Sequence, residues 1–178
     1  MTGSPEEFPE YWKKPPVVLR TELTDESCMR MALKLAQQAD EAGEVPIGAI
    51  IVASGRVIAR ASNQVELLND ATAHAEMIAL TQAAAALGDW RLLEATLYVT
   101  KEPCIMCAGA MVNCRLGRLV FGCHDPRAGA AGGALDATNF PGALHRVDVT
   151  GGVLEEESQF LLQSFFRRRR LEQKEKTT

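Results

Sequence analysis

Apolar residues recur at three- and four-residue spacing through Cys28, Met31, Ala32, Leu35, Ala36 and Ala39. That spacing gives one apolar face and predicts an amphipathic helix over residues 24–43. Thr24 is placed to cap it, Asp25 and Glu26 suit its first turn, and Gly43 ends it. The period then changes to that of strands. Two short apolar runs, 47–53 and 57–61, meet at Ser54–Gly55 and predict a β-hairpin. A polar loop over 63–72 leads to an Ala-rich helix over 74–87, stopped by Gly88. Residues 95–100 (ATLYVT) predict a strand, residues 103–113 a helix opened by Pro103, and residues 118–123 (RLVFGC) another strand. Glycine crowds 128–133, which predicts a loop. The alternating residues 145–150 (HRVDVT) predict a last strand, and residues 155–174 a terminal helix with acids first and bases last. Strands alternating with helices after an initial hairpin predict an α/β fold, a three-layer α-β-α sandwich around a mixed five-stranded sheet.

Composition changes this picture only at the ends. Four of the eight prolines (Pro5, Pro9, Pro15, Pro16) fall in residues 1–20, which predicts a mobile N-terminal tail ahead of one domain spanning 21–174. At 47% hydrophobic and 24% charged, the 178-residue chain has a globular composition, which excludes collagen, coiled coil and whole-chain disorder. The early apolar run at 17–19 is too short for a secretory core or a membrane span. A cytoplasmic protein with no membrane partner is the expectation.

Five cysteines then bring in chemistry: Cys28, Cys104, Cys107, Cys114 and Cys123. In a reducing compartment, clustered cysteines read as metal ligands or reactive thiols. Cys28 lies on the apolar face of the first helix and reads as a small core residue. Cys104 and Cys107 stand at i, i+3 on a helix start, where both sulfurs can face one metal and the helix dipole favours thiolate. His74 is the next ligand upstream. Three protein ligands leave a fourth tetrahedral position for water, the arrangement of a catalytic zinc, which lowers that water's pKa to about 7. Glu76 is the candidate to carry the water's proton to a substrate. On a regular helix i and i+2 point about 200° apart. His74 and Glu76 can therefore share one metal only in an open first turn, with the metal between two helix N-termini. Rival readings are a redox CxxC pair and a structural zinc held by Cys104, Cys107, Cys114 and Cys123. The second is weakened because Cys114 lies two turns, about 10 Å, beyond Cys107 on a helix.

His-Ala-Glu followed by Pro-Cys-x-x-Cys is the pattern of zinc deaminases acting on cytosine or adenine. The likeness runs further, through 44–52 (EVPIGAIIV), Asn63, 72–80 (TAHAEMIAL), 89–111 (DWRLLEATLYVTKEPCIMCAGAM) and 117–133 (GRLVFGCHDPRAGAAGG). Over residues 24–170 the chain resembles the bacterial tRNA-specific adenosine deaminases. The resemblance implies a cytidine-deaminase-like fold, a homodimer, and hydrolytic conversion of adenosine to inosine at the wobble position of a tRNA anticodon stem-loop. It also implies one catalytic Zn2+ per chain, held by His74, Cys104 and Cys107, with Glu76 as proton shuttle. Asn63 matches the family residue that hydrogen-bonds adenine, a task suited to an amide's paired donor and acceptor. Asp125 matches a position near the sugar and backbone of the flipped nucleotide, and it reads equally as a turn residue before Pro126. Cys114 and Cys123 replace the small residues expected there and read as buried side chains, a second metal site or a thiol-sensitive dimer contact. His124 stands where the family pattern has Arg, an exchange that bears on the RNA contact.

The charge of −4 argues against a nucleic-acid binder only as an average. Residues 21–100 carry 5 basic and 11 acidic side chains, whereas 101–178 carry 11 and 9. The basic part ends in Phe165–Phe166 and four arginines, of which Arg169 and Arg170 are the candidates for contact with the anticodon loop. The plainer reading is a helix C-terminus whose arginines suit its dipole. Three rivals to the RNA-editing function stand: a deaminase of a free nucleobase or nucleoside (cytosine, cytidine or guanine type), a non-catalytic partner subunit, and an engineered or reconstructed enzyme acting on DNA. Glu76 speaks against the second.

Overall fold

Residues 23–177 are described by a computed structural model, so the predicted tail, 1–20, lies outside the described residues. In chain order the elements are α1 (Asp25–Glu41), β1 (Gly48–Ala53), β2 (Arg56–Ser62), α2 (Val65–Leu68), α3 (Ala75–Leu87), β3 (Ala95–Lys101), α4 (Ile105–Asn113), β4 (Arg118–Cys123), β5 (Asp148–Thr150) and α5 (Glu155–Thr177). The strands form one sheet in the order β2-β1-β3-β4-β5. β1 runs antiparallel to β2 and β3, and β3, β4 and β5 run parallel, so the sheet is mixed as the alternation predicts. Ser54 (φ 49°) and Gly55 (φ 68°) are both left-handed. Two such residues match the right-handed twist of the hairpin strands.

Strand alternation builds two cores. Ala49, Ile51, Leu97, Val99, Leu119 and Phe121 face one side, where Ala75, Ala79 and Ala83 of α3 and Met111 of α4 cover them. The intervening Ile50, Tyr98 and Val120 face the other, against Cys28, Met29 and Ala32 of α1. α5 contacts β4, β3 and α1 and so shares that second layer. Successive side chains of a strand point to opposite faces, so buried central strands feed both layers. α1 lies very close on β1, since a Cβ on Gly48 would stand 2.1 Å from the Ala32 carbonyl oxygen. Charge ties the same layer to the sheet. Arg118 donates from both terminal nitrogens to Asp25, at 2.9 and 2.8 Å, and the Tyr98 hydroxyl donates to Asp25 Oδ1 at 2.9 Å.

Three local differences from the sequence pattern bear on the site. The polar loop holds a short helix, α2. The predicted strand over 145–150 shrinks to three residues, because His145 Nε2 bonds the Leu116 carbonyl at 2.7 Å and Val147 N–H donates to Thr138. The helices expected from 74 and 103 begin at Ala75 and Ile105, leaving His74 and Cys104 as N-caps. No helix among the described residues is long and apolar enough to cross a membrane.

Candidate active site

α3 and α4 start side by side on one face of the sheet, and their N-termini carry the chemistry. His74 caps α3 in extended backbone (φ −70°, ψ 150°), and Cys104 caps α4 similarly (φ −73°, ψ 173°). The open turn that His74 and Glu76 require is therefore present. His74 Nδ1 lies 3.7 Å from Cys104 Sγ and 3.6 Å from Cys107 Sγ, and the two sulfurs are 3.7 Å apart. Among the described residues these three form the group of ligand atoms close enough to hold one metal ion. Hydrogen bonds from Cys107 and His74 draw the Cys104 thiol down to about 3. The Cys107 thiol moves the other way, pushed up by its bond with Cys104 and by burial. Two thiols and an imidazole nitrogen this close together form a donor set that suits a cation. His74 is raised, chiefly by its contact with Cys104.

Glu76 lies in the first turn of α3, 3% exposed, and its Oε2 has no hydrogen-bond partner among the described residues. Burial pushes its carboxyl up, while its contact with Cys107 places it against the metal-ligand group. An orphaned buried carboxylate oxygen is costly in a folded protein. Its position fits a group that a metal ion, its coordinated water or a substrate completes.

Asn63 follows β2 and is buried. Its own N–H donates to Ile47 O (2.9 Å), and the next residue, Gln64, donates to Ala73 O (3.0 Å), directly before His74. The backbone at Asn63–Gln64 thus runs beside Ala73, the residue before His74. Its Nδ2 donates to Glu44 Oε2 at 3.0 Å.

Asp125 stands apart from that group, in the loop after β4. Its Oδ1 accepts from Arg127 N (3.0 Å) and Ala128 N (3.1 Å), the turn role, and its Oδ2 pairs with Lys101. It also lines a cavity of about 910 Å³ with Lys101, His124, Arg127, Phe166, Arg167 and Arg170. Arg170 therefore faces the groove. Arg169 does not line it and pairs instead with Glu172 at 3.4 Å. His124 is half exposed and packs edge-on against Phe121, with ring centroids 4.9 Å apart.

Glu102, which the sequence pattern does not single out, holds this loop. Its Oε2 accepts from Asp125 N (2.9 Å), and its Oε1 accepts from Ala131 N (3.1 Å) and Gly133 N (2.7 Å). A Cβ on Gly129 or Gly133 would lie 2.3 or 2.4 Å from that carboxylate, so the glycine-crowded loop is wrapped around it. Lys101, Arg167 and Glu44 likewise emerge only with the fold. Arg167 stood in the arginine run, and Glu44 and Lys101 in matched segments, but no local pattern assigned any of the three a task. Cys114 and Cys123 take no part in the metal-ligand group: Cys114 Sγ bonds Met111 O, and burial pushes both thiols up to about 11. The four-cysteine alternative has no support in this geometry.

The MafB19-like deaminase family matches residues 23–170. The tRNA-specific adenosine deaminase of Bacillus subtilis (strain 168) is 48% identical over 150 residues, covering 84% of this chain and 93% of that one. A solved structure from studies of A-to-I editing by tRNA:A34 deaminases at the wobble position of transfer RNA superposes with a TM-score of 0.73. It is 47% identical and covers 76% of this chain and 98% of its own. A guanine deaminase from Nitrosomonas europaea is more distant, at 26% identity and a TM-score of 0.67, covering 85% of this chain and 93% of its own.

Proposed function

This chain belongs to the MafB19-like deaminase family and, within it, groups with the tRNA-specific adenosine deaminases, and from that premise we propose that it converts adenosine to inosine at the wobble position of a tRNA anticodon. The observation that carries the chemistry is the triangle of His74, Cys104 and Cys107 beside the orphaned Glu76 carboxylate. We propose zinc as the metal. Tetrahedral zinc, with Zn–S about 2.3 Å and Zn–N about 2.0–2.1 Å, sets its ligand atoms about 3.8 Å apart for two sulfurs and about 3.6 Å for sulfur and nitrogen. The chain holds them at 3.7, 3.7 and 3.6 Å. When bound, zinc lowers the pKa of a coordinated water from 15.7 to about 7.

The chain's own residues then have defined tasks. Asn63 holds the adenine edge through its amide. Glu76 takes a proton from the attacking water and delivers it to the ring nitrogen beside the amino-bearing carbon. A second proton leaves with the amino group as ammonia, so water is consumed and inosine remains. Asp125 closes the loop that borders the basic groove, while Arg170, with Lys101, Arg127 and Arg167, supplies cations for the RNA backbone. Arg169 belongs to the same run but faces away from the groove, so its part is the smaller. Reach into the groove supports this division.

A cytoplasmic homodimer is part of the proposal. The five free cysteines suit a reducing compartment, and exposed Leu67, Leu68 and Ile105 offer apolar surface for a second copy. The deciding assay measures ammonia release from an anticodon stem-loop with wobble adenosine, from free adenosine, cytidine and guanine, each with and without a zinc chelator. Chelator-sensitive turnover of the stem-loop alone is expected. Rapid turnover of a free base or nucleoside, with the stem-loop inert, would move the chain to the guanine-deaminase type of activity.

A further inference from the structure

Glu44 lies in the turn between α1 and β1, in the EVPIG segment, and has no part in the chemistry described above. Its side chain is nonetheless 2% exposed. A buried carboxylate needs partners, and this one has two: Oε1 accepts from Leu67 N at 2.7 Å, at the centre of α2, and Oε2 accepts from Asn63 Nδ2 at 3.0 Å. A carboxylate only accepts hydrogen bonds, whereas an amide has one end that donates and one that accepts. Turning the Asn63 amide over would set Oδ1 against a carboxylate oxygen. Glu44 thus permits one sense of the amide. Among the described residues Asn63 Oδ1 accepts no hydrogen bond, so that end is left for a ligand.

We propose that Glu44 is a positioning residue that sets the polarity with which Asn63 meets the substrate base. The inference rests on the reading of Asn63 as the residue that holds adenine. Its physical content is a reversal. With Glu44→Gln, if Oε1 keeps the Leu67 N–H, the new Nε2 faces Asn63 and must donate to it. The Asn63 amide then turns over and presents its donor end where the acceptor stood. The alternative orientation of the introduced amide opposes two donors at Leu67. Either way the original array is lost, although size and shape are unchanged.

A double-mutant cycle tests this, read as kcat/KM and as stem-loop affinity, with metal content measured alongside. Glu44→Gln should lower kcat/KM about tenfold or more, the scale of one misdirected hydrogen bond in a site that reads polar groups. In an Asn63→Ala background the same change should matter less than about twofold, in affinity if turnover is too slow to read. Metal content should hold throughout. Equal losses in both backgrounds, or no loss in the first, would overturn the proposal. The paired exchange Glu44→Gln with Asn63→Asp keeps the Leu67 N–H bond and rebuilds the bond between residues 44 and 63 in reversed polarity. It should recover the wild-type Tm but not kcat/KM, and recovery of both would also refute polarity as the cause. A ligand-free readout separates failure of this inference from failure of the assigned activity. The Asn63 side-chain amide protons should exchange slowly with solvent in the parent protein and rapidly in Glu44→Gln, whatever the substrate proves to be.

Discussion

Asp125 N–H donates to Glu102 Oε2 at 2.9 Å, so the loop bordering the basic groove is anchored on a carboxylate two residues before Cys104 of the His74–Cys104–Cys107 group. The same carboxylate takes Ala131 N and Gly133 N on its other oxygen. Glu102→Ala strands three backbone donors in a buried place and should destabilise the fold by about 3 kcal/mol or more. Glu102→Gln loses one accepting end and should fall between. Denaturant titration gives the magnitudes, and hydrogen exchange should show residues 125–133 deprotected in both variants. An unchanged exchange pattern would show that the loop holds itself.

Metal binding and proton transfer should separate by mutation. Cys107→Ala and His74→Ala each remove one corner of a three-ligand site and should abolish bound metal, read by elemental analysis of purified protein. Glu76→Gln should keep the metal and lose about 10²–10⁴-fold in turnover, the usual contribution of a positioned acid–base group. Metal lost from Glu76→Gln, or retained in full by His74→Ala, contradicts the assignment.

The Asp25–Arg118 pair gives a stability that depends on acid. Arg118 hydrogen bonds lower the Asp25 pKa, so its folded value lies below the unfolded one, about 3.9 for aspartate. A group with a depressed folded pKa contributes fully above its unfolded pKa, and that contribution disappears as pH falls through the folded value. Asp25→Asn should cost about 1 kcal/mol at pH 7, a modest figure because the pair is one-third exposed to solvent. The gap from wild type should narrow only below about pH 4. Denaturation curves at pH 7, 5 and 3 measure it; a gap already closed at pH 5 would assign the effect to another group.

The arginine run should divide by direction. Arg170→Ala and Arg167→Ala should weaken stem-loop binding and flatten its salt dependence, by about 0.7 in the log–log slope for each single-strand phosphate no longer neutralised. Arg169→Ala should change both little. Affinity at several salt concentrations decides the matter. Equal effects at 167, 169 and 170 would indicate general charge rather than a groove.

Local pattern was enough for much of this. The three-four spacing of α1, the Ser54–Gly55 turn and the buried runs of β1, β3 and β4 are written in neighbouring residues, because helix and strand periods are short-range properties. The grouping of His74, Glu76, Cys104 and Cys107 was legible for a related reason. Ligand types are few, and a CxxC at a helix start nearly specifies its own geometry. Residues 145–150 show where pattern fails. Alternation there predicts a six-residue strand, yet hydrogen bonds to Leu116 and Thr138, distant in sequence, take the first half away.

By itself, then, the sequence determined the longer elements, the two-sided sheet and the identity of the chemical groups, since each depends on residues within a few positions of one another. Tertiary structure alone decided how those groups are aimed. Glu44 reaches Asn63 across 19 residues, Glu102 reaches Ala131 across 29, and Lys101 reaches Asp125 across 24. Nothing in local periodicity marks an acid as the acceptor for a particular distant amide. A buried carboxylate must find its donors wherever the fold delivers them, and only the packed chain shows which donors those are.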